Sequence, residues 1–412
     1  MSMSSDEGTK VDCKYGAECY QKNPAHLKKY NHPKKRERTR ESEPPQKRSK
    51  NGDDKEPVEE KDNQTTDRSD TSPSKATDCD AKPIADDTES VANSEKELIV
   101  MAELPDDPAA RIKALFLVGM PEDFFEFYKF CSQLQKKPAK KALAAIGLEL
   151  VGPFDVLDGS VKDCTQEEAL RHYRYFYDPP EFQTVLKGDD KSGLHYGYFR
   201  DDPKDQPCFV ACNSVEDGCK INVVAANLFG ALSYHIDKCL KTADPFRKMQ
   251  IQRVQTDLNK YTKKQNISLS YLTPEMRARR SKCVSKGWHG AGVVVPYDKK
   301  TDVGYRDIIE NRATLQKLFE SLEKAEGVEE TAIWSKLTPY LTAANISNDE
   351  CDFGGSLEFG LAMFCSGVAK LHTSVLQVLP TSYELLNRPQ YGQIIRAHLA
   401  NRVKGSSVST IC

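Results

Sequence analysis

Four residues near the N-terminus have the types and spacing to hold a metal ion. Cys13, Cys19, His26 and His32 follow the pattern Cys-x5-Cys-x6-His-x5-His. Two thiolates and two imidazoles suit tetrahedral zinc. The span is twenty residues, too short to build a core of its own. The metal must then supply the folding energy, about 10–16 kcal/mol in small zinc peptides. Gly16 and Asn23-Pro24 supply tight turns, and Pro33 stops the chain after the last ligand. These turns argue against the alternative of four unrelated residues in a polar tail. The cysteine spacing is wider than that of nucleic-acid-reading fingers, and their helix-bearing spacer has no room. Sequence-specific DNA reading is therefore not expected. Tyr15 and Tyr20 lie beside Lys14, Lys22, Lys28 and Lys29. Such rings can stack on adenine while the cations meet phosphates. They can equally fill the small core of the finger.

A second cluster lies far down the chain, in Asn348-Asp349-Glu350-Cys351-Asp352-Phe353-Gly354-Gly355. Asp349, Glu350 and Asp352 put three carboxylates within four residues. Neighbouring like charges raise one another's pKa, which suits a proton acceptor. The alternative is capping of the helix that follows, where acids meet the positive end of the dipole. Asp352-Phe353-Gly354 matches a kinase metal motif in letters only, because no kinase catalytic loop or glycine-rich loop accompanies it. Gly290-Ala291-Gly292 lacks the rest of a dinucleotide fingerprint. Cys208, Cys212 and Cys219 are irregularly spaced and read as structural thiols. The chain shows no nucleotide site of its own, so a stand-alone transferase is disfavoured.

These clusters need a framework, and the composition divides the 412 residues. Residues 11–33 are the finger. Residues 34–96 contain no Phe, Tyr or Trp and are expected to be a disordered linker. The linker is polarised: residues 34–50 hold eight Lys/Arg against three Glu, and residues 51–97 hold six Lys/Arg against fifteen Asp/Glu. The clusters Lys34-Lys35-Arg36-Glu37-Arg38 and Lys47-Arg48-Ser49-Lys50 resemble a bipartite nuclear import signal. The alternative is a nonspecific solvated basic stretch. Thirteen cysteines, an odd number, favour reduced thiols and a cytosolic or nuclear setting. MSMSSDEGTK lacks the apolar core of a secretory leader, and Ser409 stands where a prenylation box needs Cys. No leader, lipid anchor or membrane span is expected.

From about residue 97 to 403 the composition is globular. The run after Pro121, Phe124-Phe125-Glu126-Phe127-Tyr128-Lys129-Phe130, predicts a helix with a buried face. Leu315, Leu318, Phe319 and Leu322 give a helical period over Arg312–Ala325. Ser356–Leu386 reads as helix interrupted at Pro380, and Tyr391–Asn401 as a last helix. Leu194–Phe199, Pro207–Cys212, Ile221–Ala225 and Gly292–Pro296 read as short strands. Strands grouped between helical blocks, without regular alternation, predict an α+β body of helices and short antiparallel-type strands. The charged stretch Arg253–Lys264 suggests two lobes, 97–255 and 256–403, the second carrying Glu350.

Residues Cys13 to His26, closing at His32-Pro33, resemble the poly(ADP-ribose)-binding zinc finger. Tyr15 and Tyr20 fall on that family's adenine-contacting aromatics. Gln21 stands where the family usually has Arg, so the charge and planar fork are lost. Weaker polymer affinity is expected, partly offset by Lys22. The body is similar to the histone PARylation factor family. The resemblance is carried by Leu194–Asp201, His289–Pro296, Asp302–Arg306, Asn348–Asp352 and His398–Arg402. It implies a nuclear protein acting on chromatin at sites of DNA damage. Its partners would be histones, poly(ADP-ribose) and the catalytic domain of a poly(ADP-ribose) polymerase, which holds NAD+. It implies that Glu350 is the general base of a shared active site and that Asp349 contacts the polymerase. Arg306, with Tyr305, would belong to the docking surface, where a guanidinium can pair bidentately with a carboxylate. The alternative for Arg306 is an internal salt bridge. The alternative for the whole chain is a non-catalytic reader or adapter recruited to polymer.

Overall fold

A computed structural model describes residues 11–12, 30–31, 98–135 and 138–412. In the N-terminal unit, β1 (Val11–Asp12) pairs in parallel with β2 (Tyr30–Asn31), with Asp12 opposite Asn31. The four metal-ligand candidates, Tyr15, Tyr20, Gln21, Lys22 and the linker 34–96 lie outside the described residues.

The described residues from Leu98 onward form one compact unit. β3 (Leu98–Ile99) leads to α1 (Pro108–Phe116) and α2 (Glu122–Leu134). Asp107 caps α1 by accepting the Ala110 amide at 2.8 Å, with Pro108 at the first helical position. α2 buries Phe124, Phe127, Phe130 and Cys131, as the aromatic run predicts. Phe124 stacks on Phe154 with ring centroids 4.0 Å apart. β4 (Glu149–Leu150), α3 (Pro153–Asp158), β5 (Cys164–Thr165) and α4 (Gln166–Arg171) follow. β5 pairs antiparallel with β3.

The centre is an antiparallel meander. β6 (Phe182–Lys187), β7 (His195–Phe199), β8 (Phe209–Asn213) and β9 (Asn222–Ala225) follow β4 in sheet order. β7 and β8 are buried along their whole length. One face packs on α5 (Leu228–Thr242) and α2. A separate cluster of Phe182, Phe199, Phe209, Ile221 and Met276 marks a second apolar layer. Burial on both faces explains continuous apolar runs in place of alternation. β6 escaped the sequence reading because Gln183 and Thr184 break its apolar run. Both are buried and bonded, Gln183 to Arg174 at 3.3 Å and Thr184 to Asp178 at 2.9 Å.

α6 (Pro245–Gln265) and α7 (Pro274–Lys282) come next. The lobe boundary expected near residue 255 falls inside α6. Ile251, Val254, Leu258 and Tyr261 are its buried face, so the charged residues between them are its solvent face and not a linker. The C-terminal half is α8 (Arg312–Lys324), α9 (Gly327–Asp349), α10 (Phe353–Ser366), α11 (His372–Leu385) and α12 (Pro389–Ala400). α10 packs against α9 and α11, and α11 against α12. The break expected at Pro380 lies instead at Gly367, which ends α10 with φ of 71°. Pro380 is accommodated inside α11. Gly292–Pro296 is not a strand of the sheet; Val293 makes one isolated bridge to Ser285. The fold is α+β, as expected.

Candidate functional site

The acidic turn is the connection between α9 and α10. Glu350 ends α9, and Cys351 takes a left-handed conformation with φ of 65°. The Asp352 amide donates to the Ser347 carbonyl at 2.7 Å, and the Cys351 amide to the Asn348 carbonyl at 3.2 Å. These two bonds are a Schellman closure, normally built on glycine. They hold the Glu350 backbone in one geometry. Ser356 Oγ adds a bond to Asn348 Oδ1 at 2.5 Å and meets Ser382 Oγ at 2.9 Å, tying the turn to α10 and α11.

A side-chain cap hydrogen bond does not account for Asp352. Asp352 occupies the N-cap of α10, yet its side chain caps nothing there. Its Oδ1 accepts the Gly304 amide at 3.0 Å, and the Gly354 amide donates to the Gly304 carbonyl at 2.9 Å. These bonds fasten the strap of residues 296–309 across the N-terminus of α10. Two glycines allow the approach. Gly304 has φ of 111°, and a Cβ there would lie 2.0 Å from the Pro296 carbonyl oxygen. A Cβ on Gly355 would lie 2.4 Å from the Arg306 carbonyl oxygen.

The strap delivers Arg306 to Glu350. Arg306 Nη2 donates to Glu350 Oε2 and lies 3.6 Å from Asp352 Oδ2. The Arg306 side chain is 37% exposed and that of Glu350 only 9%. The guanidinium thus stands between the carboxylate and solvent. Burial pushes the Asp352 carboxyl above its ordinary value, while the Gly304 amide and the Arg306 charge oppose the rise. Asp349, one residue earlier, is exposed. Tyr305 turns inward. Its hydroxyl donates to Glu358 Oε2 at 2.7 Å, and burial with that carboxylate raises the phenol pKa. Glu358 also accepts from Arg312, whose guanidinium lies 5.8 Å from the Trp288 ring centroid. The internal salt bridge and the exposed position of Arg306 therefore coexist, while the Tyr305 hydroxyl serves the strap. Arg306, expected on a docking surface or in an internal salt bridge, lies against Glu350, and Asp349 is the next residue along the chain. The sequence reading missed Gly304 and the anchoring role of Asp352, which are visible only once residues 304 and 352 touch.

Among the described residues, Asp155, His172 and Cys412 also converge, with ligand atoms within 4.8 Å. The Ile411 amide donates to His172 Nδ1 at 3.2 Å. Nε2 must then carry the ring proton, and it faces Asp155 Oδ2 at 3.1 Å. That tautomer leaves no imidazole lone pair for a metal. The N-terminal set differs. The β1–β2 pairing sets the residue before Cys13 opposite the residue before His32. This closure suits a two-thiolate, two-imidazole zinc set. No helix among the described residues is long and apolar enough to cross a membrane.

The family model described as histone PARylation factor 1 matches residues 107–402, well over half of the chain. The chain belongs to the histone PARylation factor family. It is 38% identical to histone PARylation factor 1 of Mus musculus over 307 residues, covering 73% of this chain and 88% of the relative. The figures for the Bos taurus protein are the same. The Danio rerio protein is 37% identical over 295 residues, covering 71% and 84%. The model described as the PBZ domain matches residues 10–35, which include Cys13, Cys19, His26 and His32. The strap, Arg306 and the turn carrying Glu350 all lie within the stretch shared with the histone PARylation factor family.

Proposed function

We propose that this chain is an accessory factor that binds the catalytic domain of a poly(ADP-ribose) polymerase and completes its active site. The joint site directs ADP-ribosylation to serine on histones and other chromatin proteins, in the nucleus at damaged DNA. The observation that carries this reading is the fixed Glu350 carboxylate, next to exposed Asp349 and covered by a half-exposed arginine. NAD+, held by the polymerase, supplies the ADP-ribose and the nicotinamide leaving group. A serine hydroxyl is almost fully protonated at neutral pH and attacks poorly without a base. Glu350 accepts the Oγ proton as the bond to the ribose forms. A carboxylate offers about four lone-pair sites on its two oxygens, so Glu350 can take the proton while Arg306 holds Oε2. A carboxylate of the polymerase would take the guanidinium bidentately, and Asp349 would hold the complex. In this reading the chain contributes the base and the polymerase contributes the nucleotide site. In the finger, Cys13, Cys19, His26 and His32 would bind structural zinc. Tyr15, Tyr20, Gln21 and Lys22 would meet poly(ADP-ribose) and bring the body to sites where polymer exists.

Glu350→Ala, mixed with polymerase, NAD+ and histone, should lower serine labelling by at least about 10²-fold, the lower range for a lost general base. Co-sedimentation with the polymerase should persist. Unchanged serine labelling would favour the second reading, a non-catalytic reader of polymer, for which the PBZ match speaks.

A further inference from the structure

The body holds a groove of about 1280 Å³ that the acidic turn does not use. Lys238 and Lys241 of α5 line it together with Arg280 of α7 and Lys286 of the loop that follows. All four are exposed, and none has an ion-pair partner among the described residues. Arg279 differs: it donates to both Asp201 oxygens, at 2.6 and 2.8 Å, and to the Ala291 carbonyl at 2.7 Å. It is a strut that holds α7 to the segment behind. The acid lining the groove, Asp237, accepts the Tyr271 hydroxyl at 3.0 Å. That bond fixes the ring of Tyr271, which is 45% exposed and meets Tyr234 edge-on with centroids 6.3 Å apart.

Cations without ion-pair partners and aromatic rings lining the same groove call for an anion with flat apolar groups. An acidic peptide would satisfy the cations and leave the rings unused. A duplex keeps its bases stacked inside and cannot offer them to rings in a groove. A single-stranded, base-bearing polyphosphate satisfies both features. The groove also exceeds the few hundred to ~1000 Å³ typical of single small-ligand pockets, so it fits several units of a strand. We infer that this groove is a second binding site for poly(ADP-ribose), separate from the N-terminal finger. The choice of polymer rests on reading the finger as a poly(ADP-ribose) binder, since two sites on one chain raise each other's effective concentration. The segment Gly290–Gly292 lines the groove, and Val295 just beyond it packs where a Cβ on Gly354 would lie, so the stretch leading into the strap joins the groove to the acidic turn.

The test uses the full chain with the finger disabled by Cys13→Ala and His32→Ala. Fluorescence anisotropy follows titration with poly(ADP-ribose) oligomers of one length, at several salt concentrations. The finger-disabled chain should still bind, and each cation reversed should reduce the slope of log K against log salt by about 0.7. Adding Lys238→Glu and Lys286→Glu should weaken binding at least tenfold. Lys238→Arg with Lys286→Arg should retain it, and unchanged thermal melting excludes misfolding. Groove reversal in the finger-intact chain reports the finger alone, so failure of the finger reading is seen separately. No binding by the finger-disabled chain, no effect of charge reversal, or equal binding of single-stranded DNA or polyglutamate would overturn the assignment.

Discussion

Cys351 adopts a left-handed backbone that an L-residue enters at a cost of about 1–2 kcal/mol. It does so next to Glu350, where the Schellman bonds over-determine the turn. Cys351→Gly should therefore raise stability by about 1 kcal/mol, read as a higher urea midpoint, and should keep serine labelling. A lower midpoint would show that the thiol is needed for packing. Gly355 carries the opposite expectation. A methyl there meets the Arg306 carbonyl oxygen at 2.4 Å, a backbone atom that cannot rotate away. Gly355→Ala should cost about 1–3 kcal/mol, the usual range for overpacking. It should also displace Arg306 and reduce serine labelling. Wild-type melting of this variant would mean that the strap is looser than its hydrogen bonds imply.

At the scale of elements, the strap 296–309 has no regular secondary structure, and its position is set by Gly304, Asp352 and Tyr305. Tyr305→Phe removes a hydrogen bond to a buried carboxylate, which is worth about 1.5–3 kcal/mol. Amide exchange at residues 303–306 should accelerate, with a smaller loss of labelling than in Glu350→Ala. Unchanged exchange would remove Tyr305 from the anchor. The strap also marks where the sequence was readable. α2, α8 and α12 were legible because their apolar residues recur at helical spacing against polar faces. The acidic turn was visible as three acids within four residues, whereas the roles given to Glu350 and Asp349 came from the family resemblance. Gly292–Pro296 was misread because a buried apolar run looks the same in a strand and in an irregular strap. Pro380 was read as a break because a proline removes one helical bond, yet packing of α11 against α10 and α12 overrides that loss. Arg306 against Glu350 could not be read at all, since 44 residues separate partners joined only by tertiary structure.

At the scale of the whole molecule, buried histidines make the body acid-sensitive. Burial pushes His289 from 6.5 down to about 4, and lowers His235, His372 and His398 in the same direction. Each is neutral when folded and takes up a proton on unfolding. Their contribution is complete above pH 6.5 and is lost as pH falls toward the folded value; for the fully buried His289 the loss is up to about 1.4 kcal/mol per pH unit, and it is smaller for His372, which is only half buried. Asp123, Glu181 and Asp352, whose carboxyls burial raises, act with the opposite sign. The difference between wild type and His289→Gln isolates one histidine. The variant should lose less stability between pH 6.5 and 4, and parallel curves would contradict a neutral buried His289. The division of labour between finger and body is itself a whole-molecule claim. It is tested most directly by serine ADP-ribosylation of histone with polymerase and NAD+, comparing Glu350→Ala with Cys13→Ala in the full chain. Glu350→Ala should abolish serine labelling while still binding the polymerase, and Cys13→Ala should retain labelling on free histone. Full labelling with Glu350→Ala and none with Cys13→Ala would contradict this division of labour.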